Sequence, residues 1–254
     1  MNKLVTVTNK EVIEKLKQEN VTLLYPLKFF CIGFLEYFNI EEIDEYCLIN
    51  RILTDEDLDK LEVVLKASHI KGIVFDDLGV LEVVKDMNIT KILLLDHIAC
   101  NHESINYYLQ YVDSVVVSSD LSYDEIVKIV DLSCKPVVLS VFSLKGLMYS
   151  RRCLINNYYD YHKLPNKGAL YPSIEDKKFV ALSEDLGTKF YAYLYYCALE
   201  LLKLDNVLFY WYNPILLEKD KIIDLVVNDS TLGIPCSKIF LDKKLIYKVG
   251  DDNA

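Results

Sequence analysis

The chain has 254 residues, of which 52% are hydrophobic and 26% are charged, and its formal net charge is −10. This composition excludes a disordered chain, because it provides enough apolar side chains for a large core. The negative charge argues against direct nucleic-acid binding, which needs a positive surface, so we expect any nucleic acid to be contacted only through a partner.

The N-terminal segment alternates charged and apolar side chains and contains no apolar stretch of signal-peptide length. The longest apolar run, residues 21–35, is interrupted by Pro26 and Lys28. A membrane-spanning helix needs about 20 apolar residues. The sequence therefore predicts a cytoplasmic protein with no membrane segment.

Six short runs of apolar, often β-branched residues begin 19 to 26 residues apart, as expected for buried parallel strands. The runs are residues 21–25, 46–49, 72–75, 91–95, 114–117 and 136–141. Between them, residues 55–66, 79–87, 104–111 and 122–132 have helical periodicity. Ser122 and Glu125 form a capping-box pattern at the start of the last of these helices.

Repeated strand–helix units of this length favour a barrel over an open sheet. We predict a single α/β domain over residues 1–254, a TIM-type (β/α)8-like barrel with irregular last two units. Residues 179–182 and 207–211 are the predicted seventh and eighth strands, and residues 190–204 are a predicted aromatic helix. Residues 234–254 are predicted to form a C-terminal hairpin or capping segment.

Polar residues follow every one of these strands after the first. In α/β barrels the carboxyl ends of the strands meet at one rim and form the functional site. Ser and Asp at these positions also commonly cap the next helix, and this alternative stays open for Asp77, Ser119 and Asp120. The polar residues at the predicted rim are Asn50, Arg51, Asp76, Asp77, Asp96, His97, Ser118, Ser119, Asp120, Ser143 and Lys145.

Arginine is rare in this chain, which has 25 Lys but only Arg51, Arg151 and Arg152. The planar guanidinium binds carboxylate or phosphate in a bidentate way that lysine cannot reproduce. Residues 145–167 carry five positive charges against one negative charge. This pattern predicts a positive site for a small anion. In the alternative interpretation, Arg51 pairs with a rim acid such as Asp76 and holds the loops together.

Seven cysteines are scattered with no two closer than 16 residues, which indicates neither a disulfide framework nor a structural zinc site. The four histidines show no metal-ligand spacing, so no metal site is predicted. Motifs of zinc proteases, serine hydrolases and P-loop proteins are absent. Cys153 and His162 are the candidate catalytic pair, nine residues apart in a predicted loop. Alternatively, His162 stacks on the tyrosines beside it.

Residues 149–158, Tyr-Ser-Arg-Arg-Cys-Leu-Ile-Asn-Asn-Tyr, resemble the signature of the collagenase-like peptidase family, unassigned-peptidase family 32. Asn166-Lys167-Gly168 matches the family's Asn-Arg-Gly, and the segments around Asn50, Asp76-Asp77 and Ser119-Asp120 resemble other family elements. The resemblance covers about residues 20–190 and implies a barrel fold. It adds Asn157, Tyr158, Asn166 and Lys167 to the candidate ligand-binding residues.

The resemblance also implies a range of activities. Some members are peptidases acting on collagen-like chains, and others support hydroxylation of RNA bases or of ubiquinone precursors. Several bind a four-iron cluster through four cysteines, and some work as pairs of related chains. Here Gly146, Ala169 and Leu170 stand where cluster cysteines are expected, and Cys153 is the one ligand kept. Because a cluster needs four ligands, we predict no iron–sulfur cluster and no other cofactor.

Three functions stay open, and so does the question of whether the chain is an enzyme. The first is a non-catalytic or accessory partner of a longer homologous barrel protein, as a heterodimer, in hydroxylation of RNA bases or small molecules. The second is a collagenase-like peptidase. The third is a small-anion binding module that uses Arg51, Lys145 and Arg152.

Overall fold

A computed structural model describes residues 2–95, 100–165, 169–174, 176–184, 186–238 and 240–242. The strands in these ranges are β1 Lys3–Thr6, β2 Thr22–Pro26, β3 Tyr46–Ile49, β4 Gly72–Phe75, β5 Thr90–Leu94, β6 Ser114–Val117, β7 Val137–Ser150, β8 Ala169–Leu170, β9 Ser173–Ile174, β10 Lys177–Glu184, β11 Gly187–Cys197, β12 Val207–Asn213 and β13 Cys236–Ser237. The α-helices are α1 Ile13–Gln18, α2 Asp55–Lys66, α3 Leu78–Val84, α4 His102–Tyr108, α5 Tyr123–Leu132, α6 Leu154–His162 and α7 Lys219–Asn228. Short 3-10 helices span Lys10–Val12, Ile40–Glu42 and Leu199–Lys203.

Eight parallel strands, β1 to β7 and β12, close into a barrel, because β12 pairs with both β1 and β7. Helices α1 to α5 and α7 alternate with these strands. The predicted TIM-type (β/α)8-like fold is confirmed. Among the described residues, no helix has the length and apolar character needed to cross a membrane.

The barrel strands are apolar on both faces, as parallel strands covered by helices must be. Every residue of β3 and of β4 is buried. Trp211 in β12 donates its indole N–H to the Thr6 hydroxyl at 2.8 Å, which satisfies the polar atoms of two buried side chains. The predicted capping box at the start of α5 is present, with Glu125 accepting from the Ser122 backbone N–H at 2.9 Å.

The second half of β7 leaves the barrel and pairs with β11 in antiparallel fashion, with two register shifts. Strands β10 and β8 follow β11 in the same sheet, and α6 packs against β10. We call residues 144–197 the antiparallel extension. A small apolar cluster of its own, Ile155, Tyr159 and Ala181, holds α6 to the sheet.

One barrel strand was not predicted, and two predictions of secondary structure are wrong. Strand β1 lies in the N-terminal segment. Its four residues are too few to form a recognisable apolar run between charged neighbours. Residues 179–182 belong to β10 and not to the barrel. Residues 190–204 form the end of β11 and a 3-10 helix, because the aromatic side chains pair across strands instead of lining a helix.

The C-terminal segment is described only in part. Its first residues form β13, which pairs in parallel with β11. The remainder of the predicted hairpin or capping segment, residues 239 and 243–254, lies outside the described residues.

Candidate functional site

Two neighbouring cavities open at the carboxyl ends of the barrel strands. The inner cavity has a volume of about 80 Å³ and the outer one about 600 Å³. Both are lined by Asn50, Leu94, Gly146 and Lys189. Both cavities therefore lie at the barrel rim, where the sequence predicts the site.

Lys145 projects from β7 into the inner cavity and is 6% exposed. Its ammonium forms an ion pair with Asp120 at 3.0 Å and donates to the Ser119 hydroxyl at 2.9 Å. The N-cap of the following helix, α5, is Ser122. Ser119 and Asp120 therefore bind the Lys145 ammonium and do not cap a helix. The charge of this lysine is balanced inside the barrel.

Asn213 ends β12 and lines the same inner cavity. The residue is 8% exposed. Its side-chain oxygen, Oδ1, is buried and has no hydrogen-bond partner among the described residues. A buried carbonyl oxygen without a partner costs about 1–3 kcal/mol, so this atom is an acceptor available to a bound molecule.

Asn50 fastens the loop between β2 and β3. Its Oδ1 accepts from the Ile32 backbone N–H at 2.8 Å, and its Nδ2 donates to the Ile32 carbonyl at 3.1 Å. The thiol of Cys31 also donates to Oδ1, at 3.0 Å. Asn50 therefore shapes the wall of both cavities by positioning this loop.

Asp76 and Asp77 have different roles although they are adjacent. Asp77 caps α3, since its Oδ1 accepts from the Gly79 N–H at 2.8 Å and its Oδ2 accepts from the Leu53 N–H at 3.0 Å. Asp76 is half-buried in the wall of the outer cavity. Burial raises the pKa of Asp76 to about 6, the nearby Lys189 ammonium opposes this shift, and the Asp77 charge adds to it.

Lys189 reaches the site from β11 and was not among the residues predicted for the site. The only local signal is a cation next to the aromatic run that starts at Phe190. Its side chain passes next to Gly146 in β7, where a Cβ would lie 3.4 Å from Lys189 Cε and 3.9 Å from Nζ. Of the two lysines that line the cavities, Lys145 forms an ion pair with Asp120, and Lys189 forms none with a described residue.

Tyr191, two residues further along β11, ties the extension to the barrel. Its hydroxyl donates to the Gly33 carbonyl at 2.8 Å. Gly33 has φ +88°, and a Cβ at this position would lie 2.2 Å from the Tyr191 hydroxyl oxygen. Only glycine suits this contact, which positions Lys189 over the barrel mouth.

The three arginines lie outside the lining of the two cavities. Arg51 is 7% exposed and pairs with Asp57 of α2 at 2.9 Å, so its partner is not Asp76. It lines a separate groove beside Phe29 and Val63. Arg151 and Arg152 are exposed between β7 and α6. No arginine lines either cavity, although the charges of Arg51 and Arg151 both act on Tyr149 in the wall of the outer one.

Cys153 and His162 lie at opposite ends of α6, as its N-cap and its last residue. At a rise of 1.5 Å per residue they are about 13 Å apart, so the predicted catalytic pair is wrong. The predicted loop is a helix, in which the His162 ring contacts that of Tyr158 at 4.5 Å between centroids, tilted by 52° and not stacked. Asn157 is exposed on the same helix. The other candidates, Asp96, His97, Asn166 and Lys167, lie outside the described residues.

A family model, peptidase family U32, matches residues 33–170, which is just over half of the chain. The chain belongs to peptidase family U32. The match begins in the loop between β2 and β3 and ends at β8. It includes Asp76, Lys145 and Cys153, so the resemblance seen in the signature is confirmed. Lys189 and Asn213 lie beyond it. Comparisons with curated proteins and with solved structures found no match.

The iron–sulfur cluster that the resemblance implies for some U32 members does not fit the described residues. Lys189 lies against Gly146, the position of one expected cysteine, and Ala169 and Leu170 stand at another. No group of three His, Cys, Asp or Glu side chains in the described ranges could hold a metal ion. Cys153 by itself cannot replace the four thiolates that a cluster requires.

Proposed function

We propose that this chain is a ligand-binding member of the U32 family, whose barrel mouth takes up a small carboxylate-bearing molecule. The observation that carries this proposal is the position of Lys189, whose ammonium stands at the wall shared by both cavities. Lys145 is already balanced by Asp120, which leaves Lys189 as the cation to meet an incoming carboxylate.

The shape of the site supports the binding of a small molecule. The outer cavity, at about 600 Å³, has the size of typical small-molecule sites. Apolar residues such as Leu94, Leu147 and Met148 form much of its wall, and a few charged or amide groups stand among them. This combination is typical of sites in which apolar contact gives affinity and polar groups fix orientation.

Thermal-shift and calorimetric titration with a panel of small mono- and dicarboxylates test this proposal. At about 100 times the dissociation constant, a bound carboxylate stabilises the fold by about 2.7 kcal/mol. Lys189→Met should abolish the shift. Lys177→Met, which removes an exposed lysine of β10, is the matched control and should bind as the wild type does. The proposal fails if no carboxylate binds or if Lys189→Met binds unchanged.

Arg152→Ala separates this site from the one predicted from arginine usage. The side chain is exposed outside both cavities, so its removal should leave carboxylate affinity unchanged. Loss of affinity in this variant, with Lys189→Met unaffected, would favour the arginine site instead.

A second candidate function is that of an accessory partner of a longer, cluster-bearing homologue in hydroxylation of RNA bases or small molecules. An exposed apolar groove of about 610 Å³ beside Arg51 favours it. Phe29 and Val63 in this groove are 60% and 70% exposed. Phe29 also has φ +71°, a conformation that costs a non-glycine residue about 1–2 kcal/mol. Exposed apolar patches of this kind mark protein interfaces.

Affinity purification of the tagged chain from its native cells tests the partner role. We expect a cluster-bearing U32 homologue to be identified by mass spectrometry with the wild type. Val63→Asp should lose it, and Val227→Asp, at an exposed site on α7, should retain it. Recovery of the chain without any U32 homologue would contradict this role.

A further inference from the structure

The barrel mouth presents charges of both signs, and we propose that it binds a zwitterion, namely a free α-amino acid or a molecule with the same adjacent ammonium and carboxylate groups. This inference rests on the proposed carboxylate-binding function and specifies the class of carboxylate. It assigns the carboxylate of the ligand to Lys189 and the ammonium to Asp76 and Asn213.

The first observation concerns Asp76 and Lys189, which line the same outer cavity. A bare anion that approaches Lys189 also approaches the carboxylate of Asp76, and like charges repel at this range. A ligand that carries its own ammonium removes this conflict, because its positive end pairs with Asp76 while its negative end pairs with Lys189. The mixed charge of the cavity therefore suits a dipolar molecule better than a simple anion.

The second observation is independent and concerns the inner cavity. Asn213 is more than nine-tenths buried, and its Oδ1 has no partner among the described residues. This atom accepts hydrogen bonds and cannot donate them, so it offers nothing to a carboxylate. An N–H donor of the ligand would satisfy it, and an ammonium provides three such donors.

The remaining charged groups of the inner cavity do not supply an alternative for either end of the ligand. Lys145 and Asp120 are engaged with each other, and Ser119 also binds Lys145. Phe34, Tyr191 and Trp211 provide the apolar wall of this cavity. A hydrocarbon substituent of the ligand can instead pack against Leu94, Leu147 and Met148 in the larger outer cavity, while the ammonium faces Asp76 and Asn213.

Isothermal titration at pH 7.5, where Asp76 is mostly ionised, distinguishes the two kinds of carboxylate. The probes are matched pairs that differ only by the α-ammonium: alanine and propionate, leucine and 4-methylpentanoate, phenylalanine and 3-phenylpropionate, glutamate and glutarate, lysine and 6-aminohexanoate. For the pair with the highest affinity, we expect the amino acid to bind at least about tenfold more tightly than its partner without the α-ammonium.

Three variants locate the effect. In Asn213→Leu and in Asp76→Asn, the ratio of the affinity for the amino acid to that for its carboxylate partner should fall towards one, while the carboxylate still binds. Lys189→Met should weaken both members of a pair. Asn228→Leu, at an exposed position on α7, is the control for Asn213→Leu and should keep the preference. Circular dichroism and melting temperatures verify that each variant is folded.

Each outcome decides between the two proposals. If a carboxylate binds and the matched amino acid binds no more tightly, the zwitterion proposal is wrong and the carboxylate function stands. If the preference survives in both Asn213→Leu and Asp76→Asn, the assignment of the ammonium is wrong. If no probe binds, both the carboxylate function and the zwitterion are wrong.

Discussion

The parallel barrel forms the main core of this molecule, and the antiparallel extension contributes residues to the site at the barrel mouth. The barrel strands are short, apolar and buried, and their side chains form the main core. In the extension, β10 and β11 are longer and keep several side chains exposed, and β11 shifts register twice against β7. The extension nevertheless supplies Lys189 and Tyr191 to the barrel mouth. The scaffold and the decisive charge of the site therefore come from different kinds of sheet.

The largest expected effect is a loss of stability from the barrel core. Leu24 in β2 is fully buried, so Leu24→Ala should lower the free energy of unfolding by about 2–5 kcal/mol through lost burial and a residual cavity. Leu147→Ala in the extension, where the side chain is 48% exposed, should change it by less than about 0.5 kcal/mol. Urea unfolding measures the stability of both variants. Equal losses of stability would contradict the view that the barrel, and not the extension, holds the main core.

The next largest effect is expected where the extension meets the barrel. Gly33→Ala adds a Cβ within 2.2 Å of the Tyr191 hydroxyl oxygen at a residue with φ +88°. Strain and overpacking together should lower the free energy of unfolding by about 3 kcal/mol.

Gly233→Ala is the matched control for this clash. Gly233 also has positive φ, +71°, but a Cβ there would meet no atom within 4 Å. Its cost should be the conformational strain of about 1 kcal/mol. If the two alanine variants lose the same stability, the Tyr191 contact does not constrain Gly33.

A smaller effect is expected from the titration of Asp76. Its pKa is about 6 in the folded chain against 3.8 for the ordinary group, so between these values the folded state holds a proton that the unfolded state has released. This contribution to stability is therefore present at pH 4 and is lost as the pH rises through 6, on the order of 2 kcal/mol. Asp76→Asn cannot ionise, so its stability relative to the wild type should increase across this window.

Urea unfolding of both proteins at several pH values measures this difference. Asp86→Asn, at an exposed position, should follow the wild type at every pH. A constant difference between Asp76→Asn and the wild type from pH 4 to pH 7 would show that Asp76 is not desolvated beside Lys189.

The smallest expected signal is the metal content of the signature region. We propose that the chain carries no iron–sulfur cluster of its own, because Cys153 lacks the other three thiolates. Anaerobically purified protein should contain no stoichiometric iron or sulfide. Near-stoichiometric amounts of both, lost in Cys153→Ala, would overturn this expectation.

Much of the barrel could be predicted from the sequence, since a strand buried on both faces is a continuous apolar run that can be recognised locally. The prediction failed for β1, whose four residues are too few for a pattern, and for β11, whose aromatic side chains were interpreted as a helix. For the site, Asn50, Asp76 and Lys145 were predicted at the rim and do line the cavities. Lys189 was missed because its position depends on the register of β11 against β7.

The barrel and the family could be recognised in the sequence, because strand–helix spacing and the signature block are local features of the chain. Which charges meet depends on the folded chain. Arg51 lies against Asp57, Lys145 lies against Asp120, and Lys189 comes close to Asp76. Residues distant in sequence meet through strand register and loop closure, so the change from a predicted arginine site to a mixed-charge site at Lys189 required the folded chain.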